Sequence, residues 1–241
     1  MKIKLFTIPN ILTLGNLLCG VLSLLAVVVW GDLLSASLLL AASALFDFCD
    51  GFAARLLNQS SPIGRELDSL ADMVSFGLVP SIIMMTLFEL SAKSCGCDMW
   101  IEMGGYLSLL IVLFSALRLA KFNIDESQSC CFEGLPTPAC ALLCVSMALL
   151  YHCGYRVTGE VITAISVVSS WLLISPIRMF SFKLKGLAWR DNKNQYIFIA
   201  SSIVASALIL LFANGVFILP TIMVLYIIIS TISHLSCNKC S

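Results

Sequence analysis

Apolar runs of membrane-spanning length follow one another almost without pause along this chain, separated by short clusters of Gly, Pro, Asn and charged residues. About twenty apolar residues cross the hydrocarbon core of a bilayer as a helix. By that measure the pattern predicts eight spans, at roughly 9–29, 33–57, 65–90, 101–122, 137–154, 159–181, 195–213 and 215–235. The predicted fold class is all-α, a polytopic membrane helical bundle, because a helix satisfies its own backbone groups in lipid. No cleavage pattern follows the first run, so it reads as a retained helix and not a signal peptide. No repeat, low-complexity stretch or soluble domain interrupts the series. Residues 1–241 therefore read as one membrane-embedded domain, with core spans over about 9–181 and an additional pair over about 195–235.

Polar residues inside these spans break the pattern in three places. The first span opens Pro9-Asn10-Ile11-Leu12-Thr13-Leu14-Gly15-Asn16, which sets Asn10, Thr13 and Asn16 three residues apart, near one face. Interhelical hydrogen bonding and a ligand contact both fit that face. The third span contains Ser75-Phe76-Gly77-Leu78-Val79-Pro80, where Pro80 predicts a kink and Gly77 either a packing notch or a substrate contact. The third place carries most of the charge: Asp47-Phe48-Cys49-Asp50-Gly51-Phe52-Ala53-Ala54-Arg55, eight residues, then Gly64-Arg65-Glu66-Leu67-Asp68-Ser69-Leu70-Ala71-Asp72.

Helical spacing puts Asp47, Asp50, Gly51 and Ala54 on one stripe, and Asp68 and Asp72 on another. The turn-rich link around Pro62 predicts that the two helices fold back on each other, so that four carboxylates converge. Ionised carboxylates held together need cations, and oxygen donors without His or Cys favour magnesium, manganese or calcium over zinc. Gly51 and Ala54 are small enough to leave room for a substrate, and Arg55 offers a planar fork to a phosphate. A solvated acidic patch is the plain alternative. Apolar residues on both sides of the acids argue against it, since acids at the ends of membrane helices usually have work to do.

Composition and charge narrow the function. The chain is 59% hydrophobic and 12% charged, with a mean hydropathy of +0.99, outside the range of a soluble globular domain. Basic and acidic residues balance at 14 each, which excludes a nucleic-acid partner that would need a basic face. With the N-terminus in the cytoplasm, twelve of the 14 basic residues fall inside and only Lys93 and Arg156 outside. Both termini and all four motif aspartates then lie on the cytoplasmic side. That depth suits an enzyme fed with a water-soluble nucleotide better than a divalent-cation transporter, whose acids line a route across the bilayer.

Eleven cysteines without regular spacing form no disulfide framework. Cys95 and Cys97 flank one glycine and could oxidise, and Cys49 reads as packing. His234, Cys237 and Cys240 offer three ligands where a zinc site wants four. The basic stretch 182–194 reads as a cytoplasmic loop attracted to lipid headgroups.

The eight motif positions from Asp47 to Asp72 resemble, in residue type and spacing, the signature of the CDP-alcohol phosphatidyltransferase family. The resemblance implies a CDP-linked lipid, CDP-diacylglycerol, as donor. It implies divalent cations, two Mn2+ or Mg2+, held by Asp47, Asp50, Asp68 and Asp72, with Asp72 also the general base and CMP the leaving group. Gly51, Ala54, Arg55 and Gly64 would form the nucleotide site, together with Asn10 and Thr13, whose Pro-Asn-x-x-Thr setting is similar to that of the serine-using members. Arg118-Leu119-Ala120-Lys121-Phe122-Asn123 and Gly134-Leu135-Pro136-Thr137-Pro138 also resemble stretches of those members. Lys121 and Thr137 depart from their pattern. This implies L-serine as acceptor, with Arg118, Lys121, Asn123, Gly134, Pro136 and Thr137 near its site. Arg118 and Lys121 could also serve glycerol 3-phosphate or inositol phosphate, or act as simple positive-inside anchors. The family further implies a homodimer, and a bacterial inner membrane is the expected location.

Overall fold

The structure, a computed structural model, describes residues 5–59, 61–95, 99–124, 132–179 and 193–238. Lys2, Lys4, Cys97, Cys240 and nearly all of the basic loop lie outside the described residues, as do the side chains of Cys95 and Cys237.

Helix α1 (Ile8–Val28) starts where the Thr7 hydroxyl accepts the Asn10 N–H, with Pro9 in the first turn. A tight turn through Gly31 (φ 64°) leads to α2 (Leu33–Leu56), capped by Asp32. The Asp32 carboxylate accepts the N–H groups of Leu34 at 3.0 Å and Ser35 at 3.2 Å, and the Ser35 hydroxyl. These bonds hold the Asp32 carboxyl below the usual carboxylate range. Small residues let α1 and α2 lie close along their length, and the Ser23 hydroxyl donates across to Ala36 O at 2.7 Å.

Helix α2 ends on Asn58 in the left-handed region (φ 50°), a conformation asparagine tolerates. Ser61 then caps α3 (Pro62–Asp72) by accepting the Gly64 N–H at 3.1 Å. A π-helical stretch (Met73–Leu78) joins α3 to α4 (Val79–Cys95), so the helix continues past Pro80 with its irregularity just before the proline. Gly77 within it faces Ser115 and serves as a packing notch.

The chain continues through α5 (Met99–Tyr106), a short 3-10 turn and α6 (Leu110–Ile124) to the two-residue strand β1 (Phe132–Glu133). Helices α7 (Thr137–His152) and α8 (Gly159–Ile174) precede β2 (Arg178–Met179), which pairs antiparallel with β1. Helices α9 (Lys193–Phe212) and α10 (Ile218–Asn238) close the described chain as a packed pair.

One expectation needs correction. The sixth predicted span, 159–181, is helical only to Ile174, because Pro176 stops it and β2 follows. The all-α class holds apart from the two-residue ladder. Among the described residues, six continuous helical stretches are long and apolar enough to cross a membrane, with α3 and α4 counted as one and α5 and α6 as another, while α7 and α8 are apolar but shorter. At 1.5 Å per residue, each of these 16-residue helices is about 24 Å long, below the ~30 Å of a bilayer core.

The core runs along α4 and α7, through Phe76, Ile83, Met84, Leu87, Cys140, Cys144 and Ala148, with Ile111, Leu173 and Tyr226 from their neighbours. Large apolar residues such as Leu18, Leu38, Phe48, Leu113 and Leu211 point outward, while serines lie buried inside. A bundle in lipid has this distribution, since leucine gains nothing by leaving acyl chains and small polar residues let helices approach.

Candidate active site

The α2–α3 turn brings both acidic stripes together at one end of the bundle. Carboxylate oxygens of Asp47, Asp50 and Asp68 all lie within 4.8 Å of one another. Asp72, buried like Asp50, sits at the junction of α3 and the π-helical stretch, near enough to feel the charges of the other three.

Helix α1 braces the acids from below. The Thr13 hydroxyl lies 2.6 Å from Asp50 Oδ2, closer than its 3.1 Å approach to Pro9 O, and donates to the carboxylate. The Asn16 amide donates to Asp72 Oδ1 at 3.1 Å, its own Oδ1 accepts the Ser43 hydroxyl, and its backbone O accepts Ser75 Oγ at 3.3 Å. Asn16 is fully buried and ties α1, α2 and the π-helical stretch behind one carboxylate. Close approach makes this possible: a Cβ on Gly20 would fall 2.2 Å from Ser75 Oγ.

The residues present fit a divalent cation. Oxygens on opposite sides of an octahedral magnesium ion stand roughly 4.2 Å apart at ~2.1 Å per bond, so three carboxylates within 4.8 Å need only a small inward adjustment to share one. Asp68 Oδ1 is enclosed without a hydrogen-bond partner. No Lys or Arg nitrogen among the described residues forms an ion pair with the four acids. An oxygen with no donor beside two further carboxylates is a poor arrangement for protein alone and a good one around a cation.

A cleft of about 320 Å³ opens beside the acids, lined by Asp50 and Asp68, by Pro9, Asn10 and Thr13 of α1, by Gly51, Ala54 and Gln59, and by Ser61, Pro62, Gly64 and Arg65. Gly51 leaves open space where a side chain would stand. Asn10 donates its amide to Leu5 O at 2.8 Å and packs its Oδ1 against Gly64. Arg55 lies exposed outside the cleft lining, its Nε donating to Gly51 O at 2.9 Å. Arg65 and Gln59 line the cleft without having been singled out in the sequence. Arg65 follows Gly64 directly, and that adjacency was the available signal.

Of the second group of expected residues, Arg118 and Lys121 line one small cleft with Glu133, and the others stand outside its lining. Arg118 stands near Asp72, with its Nε enclosed and without a hydrogen-bond partner. Lys121 turns away from the acids into an ion pair with Glu133, 2.7 Å. Asn123 accepts the Ser69 hydroxyl at 3.1 Å, tying α6 to α3. Gly134 (φ 77°) shapes the backbone: its N–H bonds Ile177 O at 2.9 Å, and a Cβ there would lie 2.3 Å from Leu173 O. Pro136 caps α7 and Thr137 is buried at its start, outside the acid-lined cleft. Among the described residues the free thiols join no metal-binding group.

Comparison with known proteins agrees with this geometry. A CDP-diacylglycerol–serine O-phosphatidyltransferase of Bacillus subtilis (strain 168) is 34% identical over 179 residues, 73% of this chain and 91% of that protein. One from Helicobacter pylori (strain J99) is 34% identical over 221 residues, 90% of this chain and 84% of its own. An archaetidylserine synthase of Methanothermobacter thermautotrophicus is 32% identical over 177 residues, 70% of this chain and 68% of that protein. The family model for CDP-alcohol phosphatidyltransferases matches residues 6–174, the stretch that holds every acid of the cluster and every wall of its cleft, and this chain belongs to that family.

Proposed function

We infer that this protein is an integral membrane enzyme that transfers a phosphatidyl group from CDP-diacylglycerol to the hydroxyl of L-serine and releases CMP. The observation that carries the reading is the meeting of Asp47, Asp50 and Asp68 within 4.8 Å at the edge of an open cleft. The names of the Bacillus and Helicobacter relatives support serine as the acceptor.

In this reading the CDP group of the donor lies in the cleft. Gly51 and Ala54 leave space on one wall, Asn10, Thr13 and Gly64 form the other, and Arg55 and Arg65 meet phosphate oxygens from the rim. Asp47, Asp50, Asp68 and Asp72 hold two divalent cations, Mg2+ or Mn2+, which when bound neutralise the pyrophosphate and stabilise the departing CMP. Asp72 takes the proton from the acceptor hydroxyl as its oxygen bonds to the phosphorus nearer the diacylglycerol and the bond from that phosphorus to CMP breaks. Asn16 holds one Asp72 oxygen by its amide and leaves the other for this work. Arg118, beside Asp72, holds the negative group of the acceptor.

The charge pattern supports cytoplasmic termini and an active site at the cytoplasmic face, in a bacterium that of the inner membrane. On that topology α7 and α8 complete eight crossings, their short length made up by local thinning or tilt of their neighbours. Family resemblance supports a homodimer.

Purified protein incubated with CDP-diacylglycerol, Mg2+ or Mn2+, and each alcohol in turn provides the test, read as CMP release. Serine-dependent release is expected, lost on chelation and restored by metal. Asp72→Asn is expected to lower the rate by about 10²–10⁴-fold. Release with glycerol 3-phosphate or inositol phosphate but not serine would reassign the acceptor. Divalent-cation flux through vesicles lacking CDP-lipid would favour a transporter instead.

A further inference from the structure

Three segments meet around the small cleft beside Arg118: the last turns of α6, the β1 segment and the end of α8. About 110 Å³ is free there, the liquid share of roughly four waters, which suits an amino acid as small as serine. Its walls carry opposite charge. Arg118 and Lys121 line it from α6, one turn apart. Glu133 lines it from β1, and Leu173, Ile174 and Ser175 line it from the C-terminal end of α8. Peptide dipoles leave partial negative charge at that end of a helix, which favours a cation. Leu172 O accepts the Leu135 N–H at 2.9 Å and the Ser175 hydroxyl at 3.0 Å, so the end of α8 and the segment after Glu133 are fastened together.

Helix packing sets this cleft beside the acids. The Ser115 Cβ stands 3.2 Å from where a Cβ on Gly77 would lie, and Asn123 accepts the Ser69 hydroxyl at 3.1 Å. Helix α6 therefore runs antiparallel along the segment from Ser69 to Gly77. Asp72 lies within that segment and Arg118 within the matching stretch of α6, so Arg118 stands between the cleft it lines and Asp72. Lys121 Nζ meets Glu133 Oε2 at 2.7 Å, but the two side chains are 57% and 35% exposed. An ion pair so open to water contributes little to stability. A clamp between α6 and β1 is thus a weak use of these charges.

We propose that this cleft reads the acceptor as a zwitterion and that Glu133 determines specificity: Arg118 takes the carboxylate of a small amino acid, while Glu133 and the end of α8 take its ammonium group. A planar fork of donors fits a carboxylate. The acceptor hydroxyl, the polar group left over, then lies on the Arg118 side, toward Asp72. An acceptor with a phosphate and no ammonium group, such as glycerol 3-phosphate or inositol phosphate, brings negative charge to a wall that is already negative. Repulsion of this kind discriminates between ligands as attraction does. The inference rests on the phosphatidyl-transfer reading and deepens it to the choice of acceptor.

Competition against L-serine in CMP release by the full-length enzyme in detergent tests it. L-alanine keeps both charged groups without the hydroxyl, and propionate keeps the carboxylate alone. In the parent, alanine is expected to compete with serine at a concentration about tenfold or more below that of propionate, the scale of one hydrogen bond to a charged group. Glu133→Gln, similar in shape but uncharged, should bring the two inhibition constants within about twofold of each other. It should also raise KM for L-serine about tenfold, with KM for CDP-diacylglycerol unchanged. Glu133→Asp, which keeps the charge, should retain the preference for alanine. Loss of a mere clamp would weaken both inhibitors together and leave their ratio as in the parent. An unchanged ratio in Glu133→Gln therefore overturns the proposal. So does equal inhibition by alanine and propionate in the parent, or none by either, a comparison that needs no variant to fold. A parent enzyme without serine-dependent CMP release would instead sink the transferase reading itself.

Discussion

Two α1 side chains, Thr13 and Asn16, do at the residue scale what the acidic motif cannot do for itself. Each hydrogen-bonds one carboxylate, Thr13 to Asp50 and Asn16 to Asp72, and so fixes which oxygen remains for metal or proton. Groups behind metal ligands commonly set affinity through ligand orientation. Thr13→Ala is therefore expected to weaken metal activation by about 10–100-fold, measured as the Mg2+ or Mn2+ concentration at half-maximal rate. The spacing of Asn10, Thr13 and Asn16 was visible in the sequence, but their partners were not, because those lie on α2 and α3. Asp32 permits a second test away from the site. Its carboxyl is held low by Ser35 and Leu34 in the folded protein, so its contribution is full above the unfolded value of about 3.9 and is lost as pH falls through the lower folded value. Asp32→Asn keeps a capping group without the titration. The parent protein should lose thermal stability more steeply than this variant as pH is lowered below about 4.

Turns and irregular segments decide more at the scale of elements than the helices themselves do. The α2–α3 turn converts two stripes of acids into one cluster, and Pro62 with the Asn58 cap made that turn legible. The π-helical stretch from Met73 to Leu78 was not legible as such, because Pro80 predicts a disturbance without its kind. Its extra residue per turn sets Ser75 toward Gly20 and Gly77 toward Ser115. Gly134 was expected near the acceptor, and its geometry fastens the β1 segment to the end of α8. Gly134→Ala adds a Cβ 2.3 Å from Leu173 O at a left-handed φ, and is expected to cost about 1–3 kcal/mol of stability in thermal unfolding. Serine KM should move little beside that loss, which separates a structural glycine from a binding one.

For the whole molecule, the bundle sets a polar, acid-lined end against a surface of outward leucines and phenylalanines. Orientation in the membrane can be tested directly. Cys153, exposed at the end of α7, belongs on the side opposite the acids if the basic-residue pattern holds. In a variant whose sole cysteine is Cys153, a membrane-impermeant thiol reagent should label intact spheroplasts. A sole cysteine at Arg55→Cys should be labelled only after the membrane is opened.

The amino-acid order alone determined the membrane class, most of the helix limits and the acid motif, since hydropathy and helical spacing are local properties of consecutive residues. It also pointed to the chemistry, because four carboxylates at fixed intervals beside glycine and alanine suit a metal and a phosphate wherever the chain carries them. Only the tertiary structure decided which distant side chains meet. It gave Lys121 to Glu133 and left Arg118 near Asp72, and it buried Tyr226 of the last helix against Phe198. Such pairings depend on how helices pack around one another, and no spacing within a single helix encodes that.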